Sequence, residues 1–304
     1  MRPQVVCGID GSSAAFAAAA LAREIARRVE LPFEVLHASS AHPEAVLLAR
    51  ARALQDGLGQ ALGPDVPLRV EMGDPEARLI EASRRAQLLV IATRGRGAVR
   101  HSLWSSVSST VTRSAATPVL VVPRTAVKDG VASFGAGSVV CAVGGVRDLS
   151  CVATAACWAR ELGRPLLLAH VVPPRRVPAT AVGMPHPAVL ATNSERLAEG
   201  RRMLDEIACA IAPIAPRVCG TRVLSGSVAR HLARLADEEE AAFVGVGPPH
   251  SISLATGLRR SPATHLLRRA RCPVMVCPSP DVVLASASTP QFPAVPRARA
   301  PRGL

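Results

Sequence analysis

The chain of 304 residues contains no tyrosine, two tryptophans and five phenylalanines. With 2% aromatics its cores must be aliphatic, and it lacks the aromatic platforms on which nucleic-acid bases stack. Lysine is nearly missing too: Lys128 is the only one, so the formal charge of +13 is carried by arginine. That charge lies scattered on helix faces, as at Arg23, Arg27 and Arg28 or Arg268, Arg269 and Arg271, in a chain equally rich in alanine. The pattern fits a GC-rich coding bias and argues against nucleic acid as a partner. No CxxC occurs among the eight cysteines, and no histidine stands at zinc-finger spacing, so buried, reduced thiols are expected and no metal centre. Asp10 interrupts the one apolar stretch near the N-terminus and no apolar run reaches 18 residues. These features imply neither a leader nor a membrane span, and a reducing cytoplasm as location. GxSxG, a Walker A loop and an obvious acid/base carboxylate pair are likewise missing, so no catalytic residue is assigned.

What the chain does contain is a repeat. Val5-Val6-Cys7-Gly8-Ile9-Asp10-Gly11 returns as Val139-Val140-Cys141-Ala142-Val143-Gly144-Gly145, each reading as a buried strand, a turn and an Ala-rich helix. The run Pro32 to His37 returns as Pro165 to His170, and Thr117 to Pro123 as Arg271 to Pro278. Strands alternating with helices at this spacing imply βαβ crossovers, so each copy is expected to be a doubly wound, Rossmann-like α/β domain with a five-stranded, mostly parallel sheet. The first domain is placed at 1–125, a glycine-containing flexible linker at 126–137, the second domain at 138–278, and a disordered Pro/Ala-rich tail at 279–304. About twenty additional residues in the second copy are assigned to a loop from Pro173 to Pro187, ahead of a helix from about Asn193 to Ala210.

In an open parallel sheet, ligands bind beyond the carboxyl ends of the strands where strand order reverses. That rule selects Gly8 to Ser13, His37 to Ser40 and Ala92 to Val107. The last segment leaves a strand through Ile91-Ala92-Thr93-Arg94-Gly95-Arg96-Gly97 and enters a helix at Ser105-Ser106-Val107. Glycines let main-chain amides approach an anion, and a helix N-terminus adds free N–H groups, a combination suited to phosphate.

With these residues in place, the chain resembles the universal stress protein family over about residues 3 to 278, in its ATP-binding branch. That branch's motif is Gly, two residues, Gly, nine residues, Gly, then Ser or Thr. Here it falls on Ala92, Gly95, Ser105 and Ser106, with two glycines replaced. The resemblance implies an adenine nucleotide alpha hydrolase-like fold and ATP, with or without Mg²⁺, as ligand. It implies that Asp10 contacts the nucleoside end, that Gly8 and Ala38 line the adenine pocket, and that Gly95, Ser105, Ser106 and Val107 hold ribose and phosphates; Ile91 and Ala92 count with them as nucleotide-binding positions. Arg94 adds charge near the phosphates by its position.

The second copy keeps less. Gly144 replaces Asp10, Gly247-Pro248-Pro249-His250 replaces the first half of the phosphate loop, and Arg260 the third glycine, with Ser261 retained. Proline has no N–H to offer a phosphate. Each marked residue also has a plainer reading: Asp10 as a cap for the helix near Ser12, His37 and His170 as structural residues, Asp237 to Glu240 as a solvated turn. Three functions remain open: a non-enzymatic or barely enzymatic adenine-nucleotide-binding stress regulator, a scaffold with vestigial pockets, and a nucleotide-hydrolysing or transferring enzyme. The closing strands Val119 to Val122 and Val274 to Cys277 are expected to pair, within one chain or in a homodimer.

Overall fold

The computed structural model describes residues 3–40, 44–93, 106–145, 148–174, 192–215, 217–248 and 262–279. The first copy runs β1 (Gln4–Gly8), α1 (Ser13–Arg28), β2 (Phe33–Ser39), α2 (Glu44–Leu62), β3 (Leu68–Met72), α3 (Pro75–Ser83), β4 (Ala86–Ala92), α4 (Ser106–Ser114) and β5 (Val119–Val122). A connector holds β6 (Val127–Lys128) and β7 (Val131–Ala132). The second copy runs β8 (Val139–Ala142), α5 (Leu149–Glu161), β9 (Leu166–Val172), α6 (Asn193–Ile211), β10 (Val218–Ser225), α7 (Val228–Glu238), β11 (Phe243–Val246), α8 (Pro262–Leu267) and β12 (Val274–Val276).

The helices begin where the chain supplies caps. Ser12 accepts the Ala15 N–H at 3.2 Å to start α1, Asp74 accepts the Ala77 N–H at 2.9 Å ahead of Pro75 in α3, and Thr192 with Glu195 forms a capping box on α6. Arg27 and Arg28 lie in the last turn of α1, where positive charge complements the helix dipole. Alanine dominates the buried face of α1, which lets the helix lie close on the sheet, and Phe16 fills the space that Gly57 of α2 leaves.

Within each copy the strands are parallel, in the orders β3-β2-β1-β4-β5 and β10-β9-β8-β11-β12. Strand order reverses between β1 and β4, and between β8 and β11. The fold is therefore α/β with two doubly wound tandem domains. The two sheets join: β12 pairs antiparallel with β5, Met275 opposite Leu120, giving one sheet of ten strands. Both closing strands are thus paired inside the chain. Period-two alternation sorts their side chains into two continuous cores. Val5, Cys7, Leu88, Val90, Leu120, Cys141, Phe243 and Met275 face one layer of helices; Val6, Leu89, Ile91, Val121, Val140, Val244 and Val274 face the other.

The connector departs from the expected flexible linker. Its Asp129-Gly130 pair has φ of 50° and 78°, the left-handed pair that a two-residue hairpin turn requires, and β6 and β7 pair across it. Ala126 and Ala132 are buried in the main core, and the Thr125 hydroxyl donates to the Ala270 carbonyl of the second copy. Gly135 and Gly137 serve close approach: a Cβ on Gly137 would stand 1.8 Å from the Glu239 carbonyl oxygen, and the Gly137 N–H donates to Glu240 O at 2.9 Å. Most of the inserted stretch (175–191) and the tail from 280 onward lie outside the described residues. Among those described, no helix is long and apolar enough to cross a membrane.

Candidate functional site

At the carboxyl end of β1 the chain turns through Asp10-Gly11-Ser12 into α1. The Asp10 Oδ1 accepts the Ser12 N–H at 3.0 Å, while Ser12 itself caps the helix. Asp10 therefore shapes the turn and does not cap α1 directly. Its main-chain oxygen accepts from Arg50 Nη2 at 2.7 Å, and this arginine, from α2, reaches across Gly11, whose φ of +81° suits glycine.

Gly8 and Ala38 end the adjacent strands β1 and β2 and are half-buried, on the same edge as Asp10. A Cβ on Gly8 would stand 2.6 Å from Leu79 Cδ2, so glycine there lets α3 pack against the sheet. Ile91 is 4% exposed in the core layer beneath α3 and α4, which leaves its main chain as the part that can face a ligand. Ala92 follows, packed on the opposite layer, and Thr93 Oγ1 accepts the Arg124 N–H at 3.3 Å, tying the ends of β4 and β5 together. Val107, in the first turn of α4, packs on the same layer as Ile91. Arg94, Gly95 and Ser105 lie outside the described residues, and of Ser106 only its place at the start of α4 is described. The structure thus gathers Gly8, Asp10, Ala38, Ile91, Ala92 and Val107 around the β1/β4 switch point.

His37 Nδ1 lies 2.9 Å from the Ile9 carbonyl, and His170 Nδ1 lies 2.7 Å from the Val143 carbonyl. The same bond recurs in both copies and fastens the end of β1 to β2 and of β8 to β9, a structural role.

The second switch point is built differently. Gly144 stands where Asp10 stands in the repeat, yet a carboxylate is present. Asp148, at the N-cap position of α5, makes no cap bond; its Oδ2 accepts the Gly144 N–H at 2.7 Å. Its Oδ1 lies 2.7 Å from where a Cβ on Gly247 would be. Strand register equates Gly247 with Ala92, since Phe243 pairs with Val139 as Leu88 pairs with Val5. Asp148 therefore sets a carboxylate between the ends of β8 and β11. Sequence reading missed both Asp148 and Arg50. Asp148 carries a cap signal, a polar residue just before an Ala-rich helix, whereas Arg50 is 40 residues from its partner and carries none.

The thiols divide as well. Cys7, Cys141, Cys151, Cys272 and Cys277 are buried, but Cys209 and Cys219 are exposed, so the expectation of burial holds for only part of the set; all eight are free. Cys277 Sγ donates to the Cys151 carbonyl at 3.8 Å, and the hydrogen bond to Cys151, together with burial, raises the Cys141 thiol well above its ordinary range. Burial likewise raises Cys7. Such thiols stay protonated and inert. Among the described residues no group of three or more His, Cys, Asp or Glu could hold a metal ion.

Comparison with known proteins settles the family. The model of the universal stress protein family matches residues 1–123 and 137–278. The chain belongs to the universal stress protein family. A universal stress protein of Mycolicibacterium smegmatis is 36% identical over 137 residues, 40% of this chain and 47% of that protein. One from Mycobacterium tuberculosis strain H37Rv is 36% identical over 135 residues, 38% of this chain and 44% of that protein. The chain thus spans about half the length of these curated relatives. A universal stress protein structure from Archaeoglobus fulgidus covers 91% of this chain and 98% of its own, at 18% identity and TM-score 0.63, a likeness of fold.

Proposed function

We propose that the protein is a cytoplasmic stress-response regulator of bacterial type that binds an adenine nucleotide, ATP with or without Mg²⁺, in its first copy, and acts by binding, not by turnover. The observation that carries this reading is the contrast at the two switch points. In the first copy Asp10 turns toward its own loop, and Gly8, Ala38 and Ala92 stand at the carboxyl ends of their strands near the β1/β4 switch point. In the second, Asp148 already holds the Gly144 amide that an anion would use. Anions favour free N–H groups and disfavour a fixed carboxylate beside them. The expected arrangement is therefore asymmetric, with one site per chain, the second copy completing the sheet. Action without turnover is part of the proposal, in keeping with a sequence that carries neither GxSxG nor a Walker A loop.

A scaffold with vestigial pockets is the second reading, favoured by the replaced motif glycines at Ala92 and Ser105. Thermal unfolding of the full chain with and without Mg-ATP separates the two. A ligand that binds only the folded state stabilises it by RT ln(1 + [L]/Kd), about 2.7 kcal/mol at a hundredfold excess over Kd. A midpoint that rises with the logarithm of ATP concentration supports the regulator. A midpoint unmoved at millimolar ATP supports the scaffold.

A further inference from the structure

The acidic run 237–240, read from sequence as a solvated turn, is split by the fold. Glu238 pairs with Arg234 at 3.0 Å and Glu239 with Arg222 at 3.9 Å. Asp237 and Glu240 instead line a cavity of ≈ 320 Å³ between the connector hairpin and the second copy, together with Lys128 and Arg271. Small residues complete the wall, among them Ala126, Gly135 and Ala241. Among the described residues none of these four charges makes an ion pair, whereas Glu24, Glu34, Glu71, Glu81 and Glu161 all do. Two cations and two carboxylates, all four exposed, therefore border one open cavity without pairing with each other.

The walls are fixed independently of any ligand. Lys128 is held by the β6–β7 hairpin and its Asp129-Gly130 turn. Glu240 is held by the Gly137 N–H on its carbonyl, and the start of the hairpin by the Thr125 hydroxyl on Ala270 O. Asp237 stands close enough to Cys272, on the cavity wall, for its charge to add to burial in pushing that thiol up to about 12. An ion of one sign entering this space would gain from two of the charges and lose to the other two. A molecule bearing both signs would gain from all four. A volume of ≈ 320 Å³ lies at the small end of ligand pockets, which start at about 300 Å³, and suits a compact molecule.

We propose that this cavity is a second ligand site, distinct from the nucleotide crevice, for a compact zwitterion with an ammonium and a carboxylate group, of the size of a free amino acid. Its carboxylate faces Lys128 and Arg271, and its ammonium faces Asp237 and Glu240. The site exists because the connector folds onto the second copy, so it belongs to the tandem chain and not to either repeat alone.

The sole lysine provides the test. Labelling the full-length protein with ¹⁵N-lysine gives one backbone amide signal, that of Lys128. Titration with L-glutamine or L-leucine is expected to move it saturably, while acetate and methylamine at matched ionic strength do not. Asp237→Asn and, of the two cations, Arg271→Gln should each weaken the apparent affinity about tenfold or more. Unchanged thermal midpoints for the two variants establish that both are folded, and either one alone suffices if the other is not. A signal that stays fixed up to about 20 mM amino acid, one that moves equally with acetate or methylamine, or one that saturates alike in wild type and both variants would overturn the proposal.

Discussion

The two copies share a scaffold and differ at its rim. Phe243 and Gly245 in β11 occupy the register of Leu88 and Val90 in β4, a large-plus-small exchange that keeps the layer filled. Both histidines keep the same bond to the preceding strand end. At the switch points the likeness stops. Copy one has Asp10 on its own turn and Ala92 at the end of β4; copy two has Asp148 across the gap and Gly247, whose missing Cβ makes room for that carboxylate. Core packing tolerates exchange when volume and pattern are kept, whereas a charge at a strand end sets what can bind. A duplicated domain can thus change its rim without losing its sheet.

The largest effects should be the same in both copies. Phe243→Ala and Leu88→Ala each empty a fully buried position and should destabilise the fold by about 3–5 and 2–5 kcal/mol. Because β5 and β12 join the sheets, urea unfolding should stay a single transition for either variant. Two separated transitions would mean that the copies fold independently, contrary to the joined cores. Next, Gly137→Ala sets a Cβ against a backbone carbonyl and should lower stability by about 2–3 kcal/mol, measured as a shifted urea midpoint. A neutral result would return the connector to the flexible linker that composition suggests.

Smaller effects sharpen the rim. Gly247→Ala should push Asp148 off the Gly144 amide at a cost of about 1 kcal/mol. Combined with Asp148→Ala, the two losses should be less than additive, because both break one contact. Full additivity in a double-mutant cycle would separate Gly247 from Asp148. Least of all, Glu24 is held near 2 by hydrogen bonds from Arg27 and Arg28 on the exposed face of α1. A depressed carboxylate contributes above its ordinary pKa and loses that contribution as pH falls from about 4.5 toward 2. Solvent screening keeps the loss below about 0.5 kcal/mol, so Glu24→Gln should change the acid side of the stability profile only slightly.

The repeat, the strands of each copy and the start of α3 were legible because each rests on local pattern: aliphatic runs of four to seven residues, the cap at Asp74, the proline at position 75. Positions of the candidate site were legible only where they coincide with a strand end, as at Gly8, Asp10 and Ala38. Arg50 and Asp148 act through contacts that the fold creates, one across 40 residues and one against a strand 99 residues later. The connector misled for a similar reason. Glycine signals freedom in a sequence, yet Gly135 and Gly137 are there because a carbonyl lies where a side chain would be. The Asp129-Gly130 pair was the hairpin signal overlooked.

The asymmetry itself is tested most directly by calorimetric titration of the full chain with Mg-ATP, for wild type, Asp10→Asn and Asp148→Ala. Asparagine keeps the acceptor for the Ser12 amide and removes the charge, so folding of the turn is preserved. The expected result is saturable binding near one site per chain, weakened about tenfold by Asp10→Asn and unchanged by Asp148→Ala. No heat at millimolar ATP, two equal sites, or a site lost with Asp148 and kept without the Asp10 charge would contradict it.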